Sequence, residues 1–183
     1  MIKKVLPLCL FLAACGNSSD SNSGCDRPQN LVLLGKKVQG DFNGDCKIES
    51  LEVYMAKEGF GHPQTDSVYE YNLFKFRCSD KGIQLPDDIS NYPHPQLVNE
   101  GDLNNDGSDE LSIIDYSTNG TQVDMKVYSF DGKKWKQILS PTIEPGVGTD
   151  ITLHELQKRV YLKDGKICYM NSDVNGILTE KHL

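Results

Sequence analysis

Apolar and polar residues alternate over short runs along most of this chain, and clusters of turn residues separate the runs. Leu51-Glu52-Val53-Tyr54-Met55, Val68 to Phe76, Leu111-Ser112-Ile113-Ile114, Val123 to Phe130 and Trp135 to Leu139 each read as a half-buried strand. A period of two sends alternate side chains to opposite faces of a sheet, so each run can bury one face. Asp131-Gly132 joins two such runs as a hairpin, and Asp164-Gly165 joins Arg159–Lys163 to Lys166–Met170 in the same way. Ser79-Asp80-Lys81-Gly82 and Thr118-Asn119-Gly120 supply further turns. Helical periodicity is scarce; Ile151 to Val160 is the better candidate and Ser50 to Lys57 the weaker. The expected fold is therefore mostly β: a small antiparallel β-sandwich or half-open barrel with at most one or two short helices.

The runs fall into two units of similar layout, approximately residues 30–90 and 95–140, followed by a C-terminal hairpin at 150–183. Each unit opens on an acidic phrase. The first is Gly40-Asp41-Phe42-Asn43-Gly44-Asp45, the second Gly101-Asp102-Leu103-Asn104-Asn105-Asp106-Gly107, and they start 61 residues apart. Both place oxygen-bearing side chains at loop positions 1, 3 and 5 and an acid at position 9, Glu49 or Glu110. Hard cations such as calcium take six to eight oxygens at about 2.3–2.6 Å, which a tight loop with alternate side chains turned inward can supply.

The better candidate set is Asp102, Asn104, Asp106 and Glu110 with the Ser108 carbonyl between them; Asp109 is expected to face solvent or support the ligands. The weaker set is Asp41, Asn43, Asp45 and Glu49, with Lys47 at the seventh position and Glu52 as a further acid. The two loops differ at the sharp turn, where the second has Gly107 and the first Cys46. A positive φ is uncomfortable for cysteine, so the first loop is expected to be distorted or to have lost its metal. Asp, Asn and Gly also favour turns with no ion present. A bound calcium would act structurally, turning repulsion among carboxylates into a rigid loop.

The pattern Gly-Asp-apolar-Asn-x-Asp-Gly-x-x-acid followed by an apolar strand resembles the calcium loops of FG-GAP/VCBS-type repeats. That resemblance implies blade-like units, although two units fall short of a closed propeller. The first loop also resembles an EF-hand or dockerin loop, with Asp41, Asn43, Asp45, Lys47, Ile48 and Glu52 at positions 1, 3, 5, 7, 8 and 12. Cys46 at position 6 departs from that pattern, and so does Ile113 at position 12 of the second loop.

The amino-terminal sequence bears on address. Met1-Ile2-Lys3-Lys4 precedes the apolar run Val5 to Ala14, which is too short to span a bilayer and reads as a secretory signal. It ends in Leu12-Ala13-Ala14-Cys15, which resembles the bacterial lipobox. The resemblance implies removal of residues 1–14 and lipidation of Cys15, with multiple acyl chains holding the protein on a membrane. Residues 15–25 would be a lipidated tether, and 26–183 a single β domain. The expected location is the bacterial cell envelope, at the outer membrane.

The chain has 19 basic and 26 acidic residues, a net charge of −7. Loss of Lys3 and Lys4 with the signal leaves 17 basic against 26 acidic, or −9. Such a surface disfavours nucleic acid and suits cations or a basic protein partner. Cys25, Cys46, Cys78 and Cys168 remain after processing, and an oxidising compartment predicts two disulfides whose pairing the sequence leaves open.

His62, His94, His154 and His182 are scattered, and no nucleophile elbow, P-loop or dinucleotide fingerprint occurs. The functional expectation is therefore non-catalytic. The layout is similar to periplasmic lysozyme inhibitors and immunity lipoproteins, which implies a partner such as a basic cell-wall hydrolase or toxin. The alternatives are a structural or adhesive surface module and a hydrolase with an unrecognised active site. Two loops, Tyr92-Pro93-His94-Pro95 and Gly59-Phe60-Gly61-His62-Pro63, are candidate interaction surfaces.

Overall fold

The computed structural model describes residues 25–26, 28–61, 70–85, 95–116, 123–144 and 151–183. The signal segment, Cys15, most of the tether, the Thr118-Asn119-Gly120 turn, His62-Pro63 and Tyr92-Pro93-His94 lie outside the described residues.

Among the described residues twelve strands and one helical turn follow in order: β1 Leu34–Gly35, β2 Lys37–Gly40, β3 Glu49–Gly61, β4 Glu70–Cys78, β5 Gln96–Gly101, β6 Glu110–Tyr116, β7 Val123–Phe130, β8 Trp135–Leu139, β9 Thr142–Ile143, α1 Leu153–Leu156, β10 Val160–Lys163, β11 Lys166–Ser172 and β12 Leu178–His182. All pairings are antiparallel. They form a six-stranded sheet in the order β1-β5-β6-β7-β8 with β9 also on β7, a three-stranded sheet β2-β3-β4, and a three-stranded sheet β10-β11-β12. The sheets do not close into a barrel, and the chain is mostly β, in keeping with a small sandwich.

The six-stranded sheet buries both of its faces. Leu97, Leu111, Ile113, Tyr128 and Phe130 pack with Val38, Leu51, Val53 and Phe74 from the β2-β3-β4 sheet. Val98, Ile114, Met125 and Val127, one residue out of phase, pack with Leu156, Val160 and Ile167 from α1 and the C-terminal sheet. The phase shift follows from the two-residue period of a strand. It also explains why every residue of β6 from Leu111 through Asp115 is buried, Ser112 and Asp115 included.

The strand expected at Leu51–Met55 is longer than its pattern, and the weaker helix expected over Ser50–Lys57 is absent. Those residues lie in β3, hydrogen-bonded to β2 on one side and β4 on the other. Tertiary pairing overrides whatever helical preference the segment has. The expected helix at Ile151–Val160 shrinks to a single turn. A capping box between Thr152 and Glu155 opens it, and the chain then enters β10 at Val160. The expected C-terminal hairpin is a three-stranded meander, because β12 adds to β11 through the register Cys168↔His182 to Ser172↔Leu178. Ile83 enters the core without belonging to a strand.

Candidate metal centre

Each acidic phrase is the loop of a β-hairpin, and the two hairpins are built alike. Residues 41–48 join β2 to β3 and residues 102–109 join β5 to β6. A glycine faces the position-9 glutamate across the mouth of each: Gly40 opposite Glu49, and Gly101 opposite Glu110. The apolar residue at position 2 anchors the loop. Phe42 is buried beside Trp135 on one face of the central sheet, and Leu103 is buried on the other.

The polar wiring repeats position by position. The carboxylate of Asp41 accepts from the amides of Asp45 and Cys46, at 3.1 and 2.9 Å. That of Asp102 accepts from Asp106 and Gly107, at 3.1 and 3.0 Å. Asn43 Oδ1 accepts from Asp45 N at 3.0 Å, and Asn104 Oδ1 from Asp106 N at 2.8 Å. Asp45 Oδ1 accepts from Lys47 N, and Asp106 Oδ1 from Ser108 N. Glu49 Oε2 accepts from Phe42 N at 2.9 Å, and Glu110 Oε2 from Leu103 N at 2.7 Å. In both loops the amides of positions 2, 5, 6 and 7 therefore point at the acids, gathering oxygens on the inner side.

Of the two outcomes expected from Cys46, a distorted loop or a lost metal, the backbone distortion does not occur. Cys46 takes φ 65°, in the same left-handed region as Gly107 at 95°, and position 4 is also left-handed in both loops, Gly44 at 72° and Asn105 at 58°. A disulfide from Cys46 to Cys25 holds the cysteine in place. The second expected disulfide is not formed: Cys78 and Cys168 are free thiols, one among the residues packed on the core face toward β2-β3-β4, the other in the C-terminal sheet.

The loops differ in charge instead. Lys47 Nζ lies 2.8 Å from Asp45 Oδ2, so a lysine already faces the position-5 acid of the first loop and pulls its pKa down. Ser108 stands at that position in the second loop and is buried. Glu52, the further acid considered for the first loop, pairs with Arg77 at 3.0 Å instead.

In the second loop the Asn104 side-chain NH2 sits between Asp106 Oδ2 and Glu110 Oε1, at 2.8 and 3.0 Å. A positively polarised group thus occupies the place where the two carboxylates converge. The donor set fits calcium. It consists of hard oxygens, and the two amide hydrogen bonds at Asp102 take up two of about four carboxylate acceptor positions. Burial pushes Glu110 up to about 7, against the Leu103 hydrogen bond, and neighbouring Asp106 and Asp102 raise it further. Burial likewise pushes Glu49 up to about 7, with Asp41, Asp45 and Asp80 adding repulsion. Both glutamates hold a proton more readily than an exposed carboxylate, and a cation beside them would favour their ionised form.

Of the two placements expected for Asp109, the solvent-facing one does not hold. Asp109 is buried, accepting from Asp41 N and from Asn99 Nδ2, each at 3.0 Å, while its own amide donates to Asp41 O at 2.7 Å. Asn99 Nδ2 also donates to Gln39 O. The two loops are thereby tied into one polar cluster. Gly40 permits the contact, since a Cβ there would lie 2.3 Å from Asn99 Nδ2 and 2.6 Å from Asp109 Oδ2. Neither Asn99 nor the linking role of Asp109 follows from a loop motif, because both depend on how the two hairpins pack.

No protein family, curated protein or solved structure matches this chain.

Proposed function

We propose that this chain is a non-catalytic binding module of the bacterial envelope, anchored through Cys15 and stiffened by calcium in its acidic loops. The observation that carries the calcium reading is the duplicated wiring. Two hairpins with different sequences give their position 1, 3, 5 and 9 side-chain oxygens the same backbone-amide partners. Asp102, Asn104, Asp106 and Glu110, with the Ser108 carbonyl, would hold the stronger ion. Asp41, Asn43, Asp45 and Glu49, with the Lys47 carbonyl, would hold a weaker one, since Lys47 competes for Asp45.

With the loops fixed in this way, function falls to the surface they support. The acidic charge favours rapid association with a basic protein, and a secreted cell-wall hydrolase or toxin is the partner class that fits an envelope location. A structural or adhesive role remains the second reading, and an unrecognised hydrolase activity the third.

Thermal melts in excess calcium and in chelator test the metal. A native-state ligand raises the melting temperature by mass action, so identical melts would remove calcium from the proposal. Affinity capture from the native envelope tests the partner. Recovery of a basic cell-wall hydrolase that the chain inhibits supports the reading; turnover of peptidoglycan fragments by the chain itself would replace it.

A further inference from the structure

Away from the acidic loops, one face of the C-terminal sheet collects chemically reactive side chains. Tyr161 on β10 pairs with Cys168 on β11, which pairs with His182 on β12; in the next row Met170 pairs with Glu180. Strand alternation puts Cys168 with Met170, and Glu180 with His182, on the same face. Cys168 Sγ lies 3.2 Å from His182 Nδ1, and Glu180 Oε1 lies 3.9 Å from His182 Nε2. The sulfur, a carboxylate oxygen and a ring nitrogen of these three residues all fall within 4.8 Å of one another. The Tyr161 hydroxyl donates to Glu180 and stands 3.7 Å from Met170 Sδ. Lys163 Nζ donates to both Glu180 oxygens, at 3.1 and 3.2 Å.

We propose that Cys168, His182 and Glu180 bind a borderline divalent transition ion, with zinc the best fit. Thiolate, imidazole and carboxylate are the ligand classes zinc takes, at about 2.3, 2.0–2.1 and 2.0–2.2 Å. At those lengths a tetrahedral sulfur–nitrogen edge spans roughly 3.5 Å, close to the 3.2 Å already present between Cys168 and His182. A small parting of two side chains on a hydrogen-bonded sheet would admit the ion. Tyr161 orients the carboxylate from behind, the kind of supporting contact that raises metal affinity.

Three protein ligands leave a fourth position for water or an incoming group. Lys163 must loosen its hold on Glu180, because an ammonium beside a divalent ion is repelled. The thiolate makes this site unsuited to calcium and separates it chemically from the acidic loops.

The test is titration of the full chain with cobalt(II), purified anaerobically without added thiol so that the Cys25–Cys46 disulfide survives. Calcium is held in excess throughout to saturate oxygen-only sites. The expected result is a near-ultraviolet thiolate-to-cobalt band with tetrahedral visible bands, saturating at one equivalent and displaced by zinc. Cys168→Ser abolishes the charge-transfer band, His182→Ala weakens binding at least about tenfold, Tyr161→Phe weakens it roughly tenfold, and Cys78→Ser leaves it intact. His182 is exposed, so its variant keeps the fold and remains informative if Cys168→Ser does not. No charge-transfer band, or a band that follows Cys78 instead of Cys168, overturns the proposal and leaves a thiol–imidazole hydrogen bond.

Discussion

Asp41 and Asp109 hold each other by two hydrogen bonds, the Asp109 amide to the Asp41 carbonyl and the Asp41 amide to the Asp109 carboxylate, at 2.7 and 3.0 Å. The two residues are 68 positions apart and lie in loops whose flanking strands belong to different sheets. Their contact makes the two acidic hairpins one unit, so a disturbance at either loop reaches the other.

Replacing Asp109 tests that unity. Asp109→Ala strips an acceptor from the Asp41 amide and from the Asn99 side chain, both buried. Leaving such donors unmet costs on the order of 2–4 kcal/mol. Asp109→Asn can retain one acceptor and is expected to cost less. Gly40→Ala should resemble Asp109→Ala, because its Cβ would enter the space of Asn99 and Asp109. Chemical denaturation ranks the three. If Asp109→Ala unfolds like the parent, the clasp has no energetic weight.

The left-handed turn gives a second prediction. Cys46 and Gly107 occupy the same backbone region, and only glycine does so without steric penalty. In a background lacking the disulfide, Cys25→Ser, the further change Cys46→Gly is expected to recover about 1 kcal/mol. At Gly107 a Cβ meets no atom within 4 Å, so Gly107→Ala should lose about 1 kcal/mol through backbone strain alone. Equal stabilities of Cys25→Ser and the double variant, compared in urea, would show that the turn imposes no strain on cysteine.

The acidic loops, their positions 1, 3, 5 and 9 and the hairpin strands after them could be read from residue pattern because each is local. Asp-x-Asn-x-Asp dictates its own turn, and alternation dictates its own strand. What depends on distant partners was not readable. β5, with Pro95 before it and Asn99 inside it, gains strand character from its neighbours β1 and β6. The segment Ser50–Lys57 looked weakly helical until flanked by two strands. The local φ preference of Cys46 says nothing of the Cys25 bond that holds it in the turn. The tie between Asp109 and Asp41 is invisible in either loop motif because the two residues lie in different hairpins. His182, one of four scattered histidines, meets Cys168 only through the register of β11 with β12.

The loops are expected to respond unequally to calcium. Lys47 partly neutralises Asp45 in the first loop, whereas Ser108 brings no charge to the second. Asp102→Ala should therefore remove most of the calcium-induced rise in melting temperature, and Asp41→Ala a smaller part. Lys47→Ser should strengthen binding at the first loop by withdrawing the competing ammonium. Isothermal titration of the three variants decides this; if Asp41→Ala abolishes the response while Asp102→Ala spares it, the ranking is reversed.

Asp115 supplies a pH dependence away from both loops. It is buried on β6 directly opposite Asp124 on β7, and Asp124 takes Lys126 at 2.7 Å. Burial pushes the Asp115 carboxyl up from 3.8 to about 7, with Lys126 opposing and Asp124 adding to the rise. A folded pKa above the unfolded one means that the native state holds the proton more tightly. Its contribution is fully present below about pH 4 and is lost as pH climbs through about 7. Asp115→Asn keeps the neutral shape at every pH, so it should change little at pH 4 and stabilise by on the order of 2–4 kcal/mol at pH 8. Lys126 faces the same group, and Lys126→Met should steepen the parent's decline by removing a nearby charge that favours ionisation. Urea denaturation from pH 4 to pH 8 follows both variants. A stability gain for Asp115→Asn that is the same at every pH would assign the effect to packing and not to the buried proton.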